Sequence, residues 1–507
     1  MSADNVYDYI VVGTGSAGCV LANRLSENPD VKVLTIEAGG QDIPEAVHDP
    51  SVWFTLLGSA IDWSYFSVPQ PGLGGRPTFE PRGKLIGGSS NLYIMMHIRG
   101  HKSDYDNWAY NGCPGWTYDE CVPWFQKLEN QEDDTNPTAG HGGPIAVTNA
   151  SLHDPNPASA AFIEACVELG YPRTDDFNGP NMMGAGWHHI DVKDRKRQGT
   201  AMTYLSAALG RPNLTLSTNS NATKLTFDGT RCTGVEYVKD GHHHVAHATG
   251  EVIVACGAIE SPKLLLNSGI GPAGHLKDVG VDVRLDLPGV GENFHNHVLT
   301  GVIYEAEETL PPGTQNLSES AMFLPSVPNF PAPDLQIAFV HVPFDIIVGQ
   351  GHPNAVSILP GVVRPLSRGW IRLAGNDPHA APLINPNYFE VAADRDRLVQ
   401  GVELAREIFA TKAMKPWAKT ELMPGPEITD LKSFVRDNAA SYHHQAGSCK
   451  MGQDAMSVVD PELKVYGIEG LRVADASVMP AVTSGNCHTG ILMIAERCAD
   501  LVKQAAG

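Results

Sequence analysis

The chain opens on an apolar run, Tyr9-Ile-Val-Val12, followed by a glycine-punctuated stretch and then by apolar positions at Val20, Leu21 and Leu25. A short apolar block giving way to helical spacing predicts a strand and then a helix over 17–25. A further apolar block at 31–36 completes a β-α-β unit, whose crossover makes the two strands parallel. Alternating stretches at 214–218, 234–238 and 251–255 predict more strands. Between the last two, Asp240-Gly-His-His-His244 predicts a solvated hairpin tip rather than a metal-binding tract. Short strands at 335–342, 355–362 and 369–373 predict a separate second sheet, followed by an amphipathic helix over 394–409. A strand at 471–474 and a helix around 491–502 close the chain, which shows no internal repeat.

Composition narrows the class. With 507 residues and 42% hydrophobic content the chain can bury a large core and should divide into two domains or more. A formal charge of −21 excludes a nucleic-acid partner, since phosphate backbones require a basic surface. The expectation is a cytoplasmic protein: the first residues run directly into the 9–12 strand, leaving no space for a leader. No uncharged apolar run approaches the roughly 20 residues of a spanning helix, so no integral membrane association is expected. The nine cysteines are scattered and never spaced as CxxC, which predicts reduced thiols, no disulfide framework and no metal.

Gly13-Thr-Gly15-Ser-Ala-Gly18 lies where the first strand turns into the first helix, the context a dinucleotide fingerprint requires. Gly13 suits the tight turn, Gly15 lets backbone approach a pyrophosphate, and Gly18 lets helix and strand pack closely. The helix N-terminus offers free N–H groups and a positive dipole. Glu37 ends the second strand nineteen residues past Gly18, where a carboxylate can accept ribose hydroxyls and disfavours a 2′-phosphate. The motif by itself does not choose between FAD and NAD.

Arg82-Gly-Lys-Leu-Ile-Gly-Gly-Ser-Ser90, with Ile98-Arg-Gly-His101 and Asp104-Tyr-Asp-Asn-Trp108, resembles the first signature region of the glucose, methanol and choline family of flavin oxidoreductases. Gly257-Ala-Ile-Glu-Ser-Pro-Lys-Leu-Leu-Leu-Asn-Ser-Gly-Ile-Gly271 is similar to its second signature. Pro288-Gly-Val-Gly-Glu-Asn293, His444 with Gly447-Ser-Cys-Lys-Met-Gly452, and Leu471-Arg-Val-Ala-Asp-Ala-Ser-Val-Met-Pro480 resemble later blocks in the same order, so the resemblance spans nearly the whole chain. It implies FAD, bound along a Rossmann-like α/β domain into which an α+β substrate domain built on an antiparallel sheet is inserted. The expected division is 1–150, 200–300 and 440–507 for the FAD-binding domain, and 151–199 and 301–439 for the substrate domain. Alongside Gly13, Gly15, Gly18 and Glu37, the resemblance implies cofactor contacts from Ser16, Ala17, Ala38, Gly87, Gly88, Ser89, Asn91, Tyr93, Ile94, Ala222, Asp475, Ala476 and Thr489.

Oxidising an alcohol on flavin requires a group that takes the hydroxyl proton and an acceptor for the hydride. An imidazole with a pKa near neutrality suits the first task. By the family's register the catalytic histidine is His444, three residues before Gly447, rather than His443, whose role is open. The second catalytic position falls on Asn486, with His488 two residues on as the alternative. Leu92 stands where choline oxidases carry the histidine bonded to flavin, which implies non-covalent FAD. Leu299 stands where they hold a carboxylate for the quaternary ammonium, so a choline-like substrate loses its charge partner. Tyr93 replaces a usual Asn or His, and His97 replaces an aromatic or small residue with no role assigned. Trp53, Trp63, Phe339, His341 and Phe344 are candidates either for a pocket lining or for plain core.

The resemblance therefore implies oxidation of a small-molecule primary alcohol to an aldehyde, the substrate being uncharged or aromatic, such as a benzyl-like, furanic or pyridoxine-like compound. Electrons would pass to dioxygen or another acceptor. A hydroxynitrile lyase-like enzyme without net redox and a non-catalytic flavoprotein are the alternatives. Nothing in the residues fixes the oligomeric state.

Overall fold

The computed structural model describes residues 5–344, 352 and 354–506. Residues 1–4, part of the stretch on which the leaderless reading rests, lie outside it. Strand β1 (Val6–Val12), helix α1 (Ser16–Leu25) and strand β2 (Val33–Ile36) form the opening unit, with β1 and β2 parallel and in register from Tyr9 against Val33 to Val12 against Ile36. Strand Leu214–Ser217 extends β2, and His242–Val254 runs along the other edge of β1. Strands Arg231–Lys239 and Ser220–Asp228 then continue antiparallel, while Leu471–Val473 pairs parallel with His242–Val254. These strands form a seven-stranded sheet whose faces are sealed by α1, helix Gly257–Asn267 and the closing helix His488–Ala506. The two ends of the chain meet here: Arg24 of α1 pairs with Glu496 at 2.7 Å, and the Tyr204 hydroxyl donates to the same carboxylate at 2.8 Å.

The predicted hairpin needs a correction. His242, His243 and His244 are not a loop tip but the first residues of a 13-residue strand. Asp240 and Gly241 both have positive φ, +51° and +77°, so two residues suffice for the turn and the histidines fall into the ladder opposite Tyr237, Val238 and Lys239. The same strand absorbs the separate element predicted at 251–255.

The second sheet has eight strands, with the path Thr420–Met423, Val302–Glu305, Ala355–Val362, Leu335–Val340, Ser320–Leu324 and Gly184–Trp187. Val298–Leu299 and Ala440–Ser441 join at one side. All its pairings are antiparallel. Along Leu335–Val340 the side chains alternate: Ile337 and Phe339 pack with helices Pro157–Glu168 and Ala392–Phe409 in one core, while Ala338 and Val340 join Leu299, Leu317, Phe344 and Tyr442 in another. The predicted strand at 369–373 does not belong to this sheet. Trp370–Arg372 pairs only with Leu383–Asn385, and Ile371 and Ile384 bury themselves in the core of the first sheet.

All nine cysteines are free, eight of them buried. No helix among the described residues is long and apolar enough to cross a membrane.

Candidate active site

Segments far apart in the sequence line a cleft beside the first sheet. Gly13, Gly15, Ser16, Ala17, Glu37, Ala38, Gly88, Ser89, Ala222, Asp475 and Ala476 line it. The three glycines have different geometries. Gly13 adopts φ +94° and donates its N–H to Ile36 at 2.7 Å, and a Cβ there would lie 2.7 Å from the Ala255 carbonyl oxygen. A Cβ on Gly18 would sit 1.8 Å from the Gly13 carbonyl oxygen, so helix and strand touch backbone to backbone. Gly15, which caps α1 without any side-chain hydrogen bond, faces open space, where a Cβ would approach only the Gly88 Cα, at 4.0 Å.

Glu37 is buried, and burial raises its pKa against the pull of its hydrogen bonds. Its Oε2 accepts from the Thr14 N–H at 2.9 Å and the Thr14 hydroxyl at 2.8 Å, whereas among the described residues Oε1 accepts only the Gly39 N–H, at 2.8 Å. An ionised carboxylate oxygen has two lone pairs, so Oε1 retains acceptor capacity toward the cleft. Asp475 uses both of its carboxylate oxygens within the chain. Oδ1 accepts the Ser477 N–H at 2.8 Å, and Oδ2 accepts the Gly257 N–H at 2.9 Å and the Ser261 hydroxyl at 2.5 Å, tying the 476–478 turn to the start of helix Gly257–Asn267.

Gly18, Gly87, Asn91, Tyr93, Ile94 and Thr489 are not part of the cleft lining. Gly87 donates to Thr14 at 2.7 Å with φ +88°, and Asn91 donates to Ile86 and Gly88, so these two shape the glycine loop from behind. Asn91 Oδ1 and Thr489 Oγ1 are buried and find no hydrogen-bond partner among the described residues. Bare glycine backbone, an uncapped helix N-terminus and an open carboxylate oxygen together fit a dinucleotide of the FAD type.

The candidate catalytic residues gather at the edge of the second sheet. His444 follows strand Ala440–Ser441 and its N–H donates to Asn296 Oδ1 at 2.8 Å. Its Nε2 lies 3.1 Å from Asn486 Nδ2, and its Nδ1 lies 2.9 Å from His297 Nδ1. Asn486 Oδ1 accepts from Gln336 Nε2 at 3.3 Å, which turns the amide donor toward His444. The tautomer follows: Nε2 of His444 carries the lone pair, and Nδ1–H donates to His297. Burial, with the charges of His297, His443 and Arg82 adding to it, holds His444 well below the ordinary histidine value. The expectation of a pKa near neutrality is thus corrected to a neutral imidazole.

His443 adopts φ +65°, its carbonyl accepts from Arg82 at 2.8 Å, and burial pushes its imidazole down to about 3. Of the two candidates for the second position, only Asn486 touches His444. The His488 ring instead lies 4.4 Å from that of Tyr93, with Nδ1 3.5 Å from Asp191. Leu299 is buried with Leu317, Phe344 and Tyr442. Among the pocket candidates, Trp63 lines the cofactor cleft, Trp53 is buried and donates to the Asn316 carbonyl at 3.0 Å, and Phe344 packs in the apolar cluster of Leu299. His341 is buried with neither ring nitrogen partnered among the described residues, and Phe339 is plain core, stacked on Phe162.

Sequence reasoning missed His297, Asn296, Gln336 and Glu80. His297 lies four residues beyond the Pro288–Asn293 block, where a search past the block's end would have met it. Glu80 accepts from Ser441 at 2.9 Å, Thr78 at 2.8 Å and Gln445, bracing the turn that carries His444. No local pattern distinguishes Gln336 from any other polar strand residue.

Family models described as GMC oxidoreductase match residues 7–299 and 365–495. The mitochondrial choline dehydrogenase of Mus musculus is 38% identical over 98% of this chain and 89% of its own length. An oxygen-dependent choline dehydrogenase of Burkholderia ambifaria is 39% identical over 98% of this chain and 93% of its own. Among solved structures, pyridoxine 4-oxidase from Mesorbium loti superposes with a TM-score of 0.93 at 34% identity, covering 97% of this chain and 98% of that one.

Proposed function

The chain belongs to the GMC oxidoreductase family of FAD-dependent enzymes acting on CH–OH groups, and from that premise we propose that it oxidises an uncharged or aromatic primary alcohol to the aldehyde. The observation that carries this reading is the basic nitrogen of His444, 3.1 Å from the Asn486 amide and backed by His297 at 2.9 Å. The alcohol oxygen takes the Asn486 Nδ2–H, and its proton passes to His444 Nε2. His297 accepts the Nδ1–H and holds the ring in one tautomer while the charge develops. Bound FAD supplies the hydride acceptor. The roles of Gly13, Gly15, Ser16, Ala17, Glu37, Ala38, Gly88, Ser89, Ala222, Asp475 and Ala476 in holding it are part of the same proposal. Leu92, a buried hydrocarbon, offers no bond to the flavin, so the cofactor is held non-covalently and denatured protein should release its colour to the supernatant.

The substrate class is supported by Leu299, which lies in an apolar cluster with Leu317, Ala338 and Phe344 where the family resemblance places a carboxylate for a quaternary ammonium. Pyridoxine 4-oxidase among the similar structures agrees with a heteroaromatic alcohol. We assign residues 1–150, 200–300 and 440–507 to the FAD-binding domain and 151–199 and 301–439 to the substrate domain, a division supported by the seven strands of the first sheet, which all fall in the first set, while Val298–Leu299 and Ala440–Ser441 at its boundaries pair into the second sheet. Nine free thiols support a reducing, cytoplasmic location.

The test is anaerobic addition of benzyl alcohol, a furanic alcohol, pyridoxine and choline, following the visible absorbance of oxidised flavin. Bleaching by one of the first three, abolished in His444→Ala, is expected. Bleaching by choline alone overturns the substrate class. Turnover with the flavin remaining oxidised would mark the lyase-like reaction, and no response to any alcohol would mark a non-catalytic flavoprotein. Admitting air and assaying peroxide identifies dioxygen or another molecule as the final acceptor.

A further inference from the structure

A second group of buried polar residues is joined through its chain neighbours both to the cofactor cleft and to the His444–Asn486 pair, and the reaction described above makes no use of it. His488 is the first residue of the closing helix. Asn486, two residues earlier, touches His444, and Ile491, one turn later, lines the cleft. Tyr93 follows the Gly88–Asn91 turn, whose Gly88 and Ser89 line the same cleft. Asp191 serves both rings: the Tyr93 hydroxyl donates to Oδ2 at 2.7 Å, and His488 Nδ1 lies 3.5 Å from that oxygen. Both His488 ring nitrogens are buried and make no hydrogen bond among the described residues, as is true of Thr489 Oγ1 beside them.

Behind Asp191 stands His97. Its Nδ1 is 2.7 Å from Asp191 Oδ1 and its Nε2 is 3.1 Å from Glu129 Oε1. Glu129 is bound in turn by Arg99 through two hydrogen bonds. His97, Arg99 and Asp191 have no solvent exposure, and Glu129 has 1%. A neutral imidazole has one N–H, and an ionised carboxylate only accepts. With an ionised carboxylate at each ring nitrogen, His97 must donate from both. The row therefore alternates in sign as Arg99, Glu129, His97, Asp191, and each buried charge has a neighbour of opposite sign. Although burial alone would lower it, the pull of Asp191 and Glu129 lifts His97 to about 9, and Arg99 and His97 hold Glu129 down to about 2. Arg197 also stands at this end, its guanidinium 5.4 Å from the centre of the Tyr93 ring.

We propose that His97 is a positioning residue for the cofactor site: as a buried imidazolium it fixes Asp191, and through Asp191 it sets both the placement of Tyr93 and His488 and the field they present to the flavin. The inference rests on the FAD reading above and extends it to a residue in contact with neither substrate nor cofactor.

The experiment is a redox titration of FAD-loaded protein. Reduction adds negative charge to the flavin, so deleting the cation and deleting the anion act in opposite directions. His97→Gln should lower the midpoint potential and Asp191→Asn should raise it, each by at least a tenfold change in the oxidised-to-reduced equilibrium, about 30 mV for a two-electron couple. The double variant should return toward the parent value. Shifts of the same sign in both single variants indicate loosened packing and overturn the proposal, as does the absence of any shift. Nitrogen NMR of the unsubstituted, FAD-loaded protein does not depend on any variant folding. At about pH 8, above the ordinary histidine range, both His97 ring nitrogens should carry protons, and a singly protonated His97 overturns the proposal. A colourless parent protein would instead refute the cofactor reading itself, whereas a yellow protein with unmoved potentials refutes this inference alone.

Discussion

At Gly18 the absence of a side chain has a measurable consequence. A Cβ there would lie 1.8 Å from the Gly13 carbonyl oxygen, and neither backbone can move without disturbing the turn that faces the cofactor. Gly18→Ala is expected to cost about 1–3 kcal/mol in denaturant unfolding and to lower the FAD content of purified protein; an unchanged flavin-to-protein ratio would contradict this. His444 presents a different kind of constraint. Because burial holds it neutral, flavin reduction should be insensitive to pH across the neutral range. Asn486→Asp places a carboxylate against Nε2, which stabilises the imidazolium and raises the His444 pKa. The acid limb of the reduction rate should then move to higher pH and the maximal rate fall by about 10²-fold, as read by stopped-flow absorbance. The glycine fingerprint and Glu37 were legible from sequence because their work is done within one β-α-β unit. His297 was not, because its partner His444 lies 147 residues away and only folding makes them neighbours.

Strand Leu335–Val340 shows how one element serves two ends. Phe339 points into the helix-packed core, and Phe339→Ala should cost about 3–5 kcal/mol of stability while leaving flavin reduction nearly unchanged. Gln336, on the opposite face, reaches Asn486, and Gln336→Leu should slow reduction while changing stability little. Equal effects of both variants on both measurements would refute this division of labour. The strand's existence and alternation were readable from its pattern, but which face meets helices and which meets the active site was not, since period two is symmetric until a partner is chosen. The histidine run shows the same limit from the other side. Its polarity suggested a tip, whereas the two positive-φ residues before it had already closed the turn.

Over the whole molecule, many imidazoles are buried in the neutral form. Burial pushes His297 and His443 down to about 3 and His188 and His341 down to about 4, against about 6.5 in an unfolded chain. Below about pH 6.5 the unfolded chain binds protons that the folded one excludes, so stability should fall by roughly 1.4 kcal/mol per pH unit for each such residue. Glu319, raised by burial to about 7, acts in the opposite sense, losing its contribution as pH rises from about 4.5 through that value, but one acid offsets only one imidazole. Raised to about 9, His97 contributes stability that is full below about pH 6.5 and is lost on the alkaline side. Denaturant unfolding should therefore show a stability maximum near neutrality with a steep acid flank; a flat profile down to about pH 5 would show that these imidazoles are not buried neutral. The sequence by itself determined the class of fold and pointed to the glycine turn, to Glu37 and to His444, because each is written in a local period or a short ordered motif. The tertiary structure alone decided that Asn486 rather than His488 meets His444, that His297 and Gln336 support the pair, and that His97 joins a buried row of alternating charges. Those choices depend on contacts between residues far apart along the chain, and no local pattern encodes which distant backbone will arrive beside a given side chain.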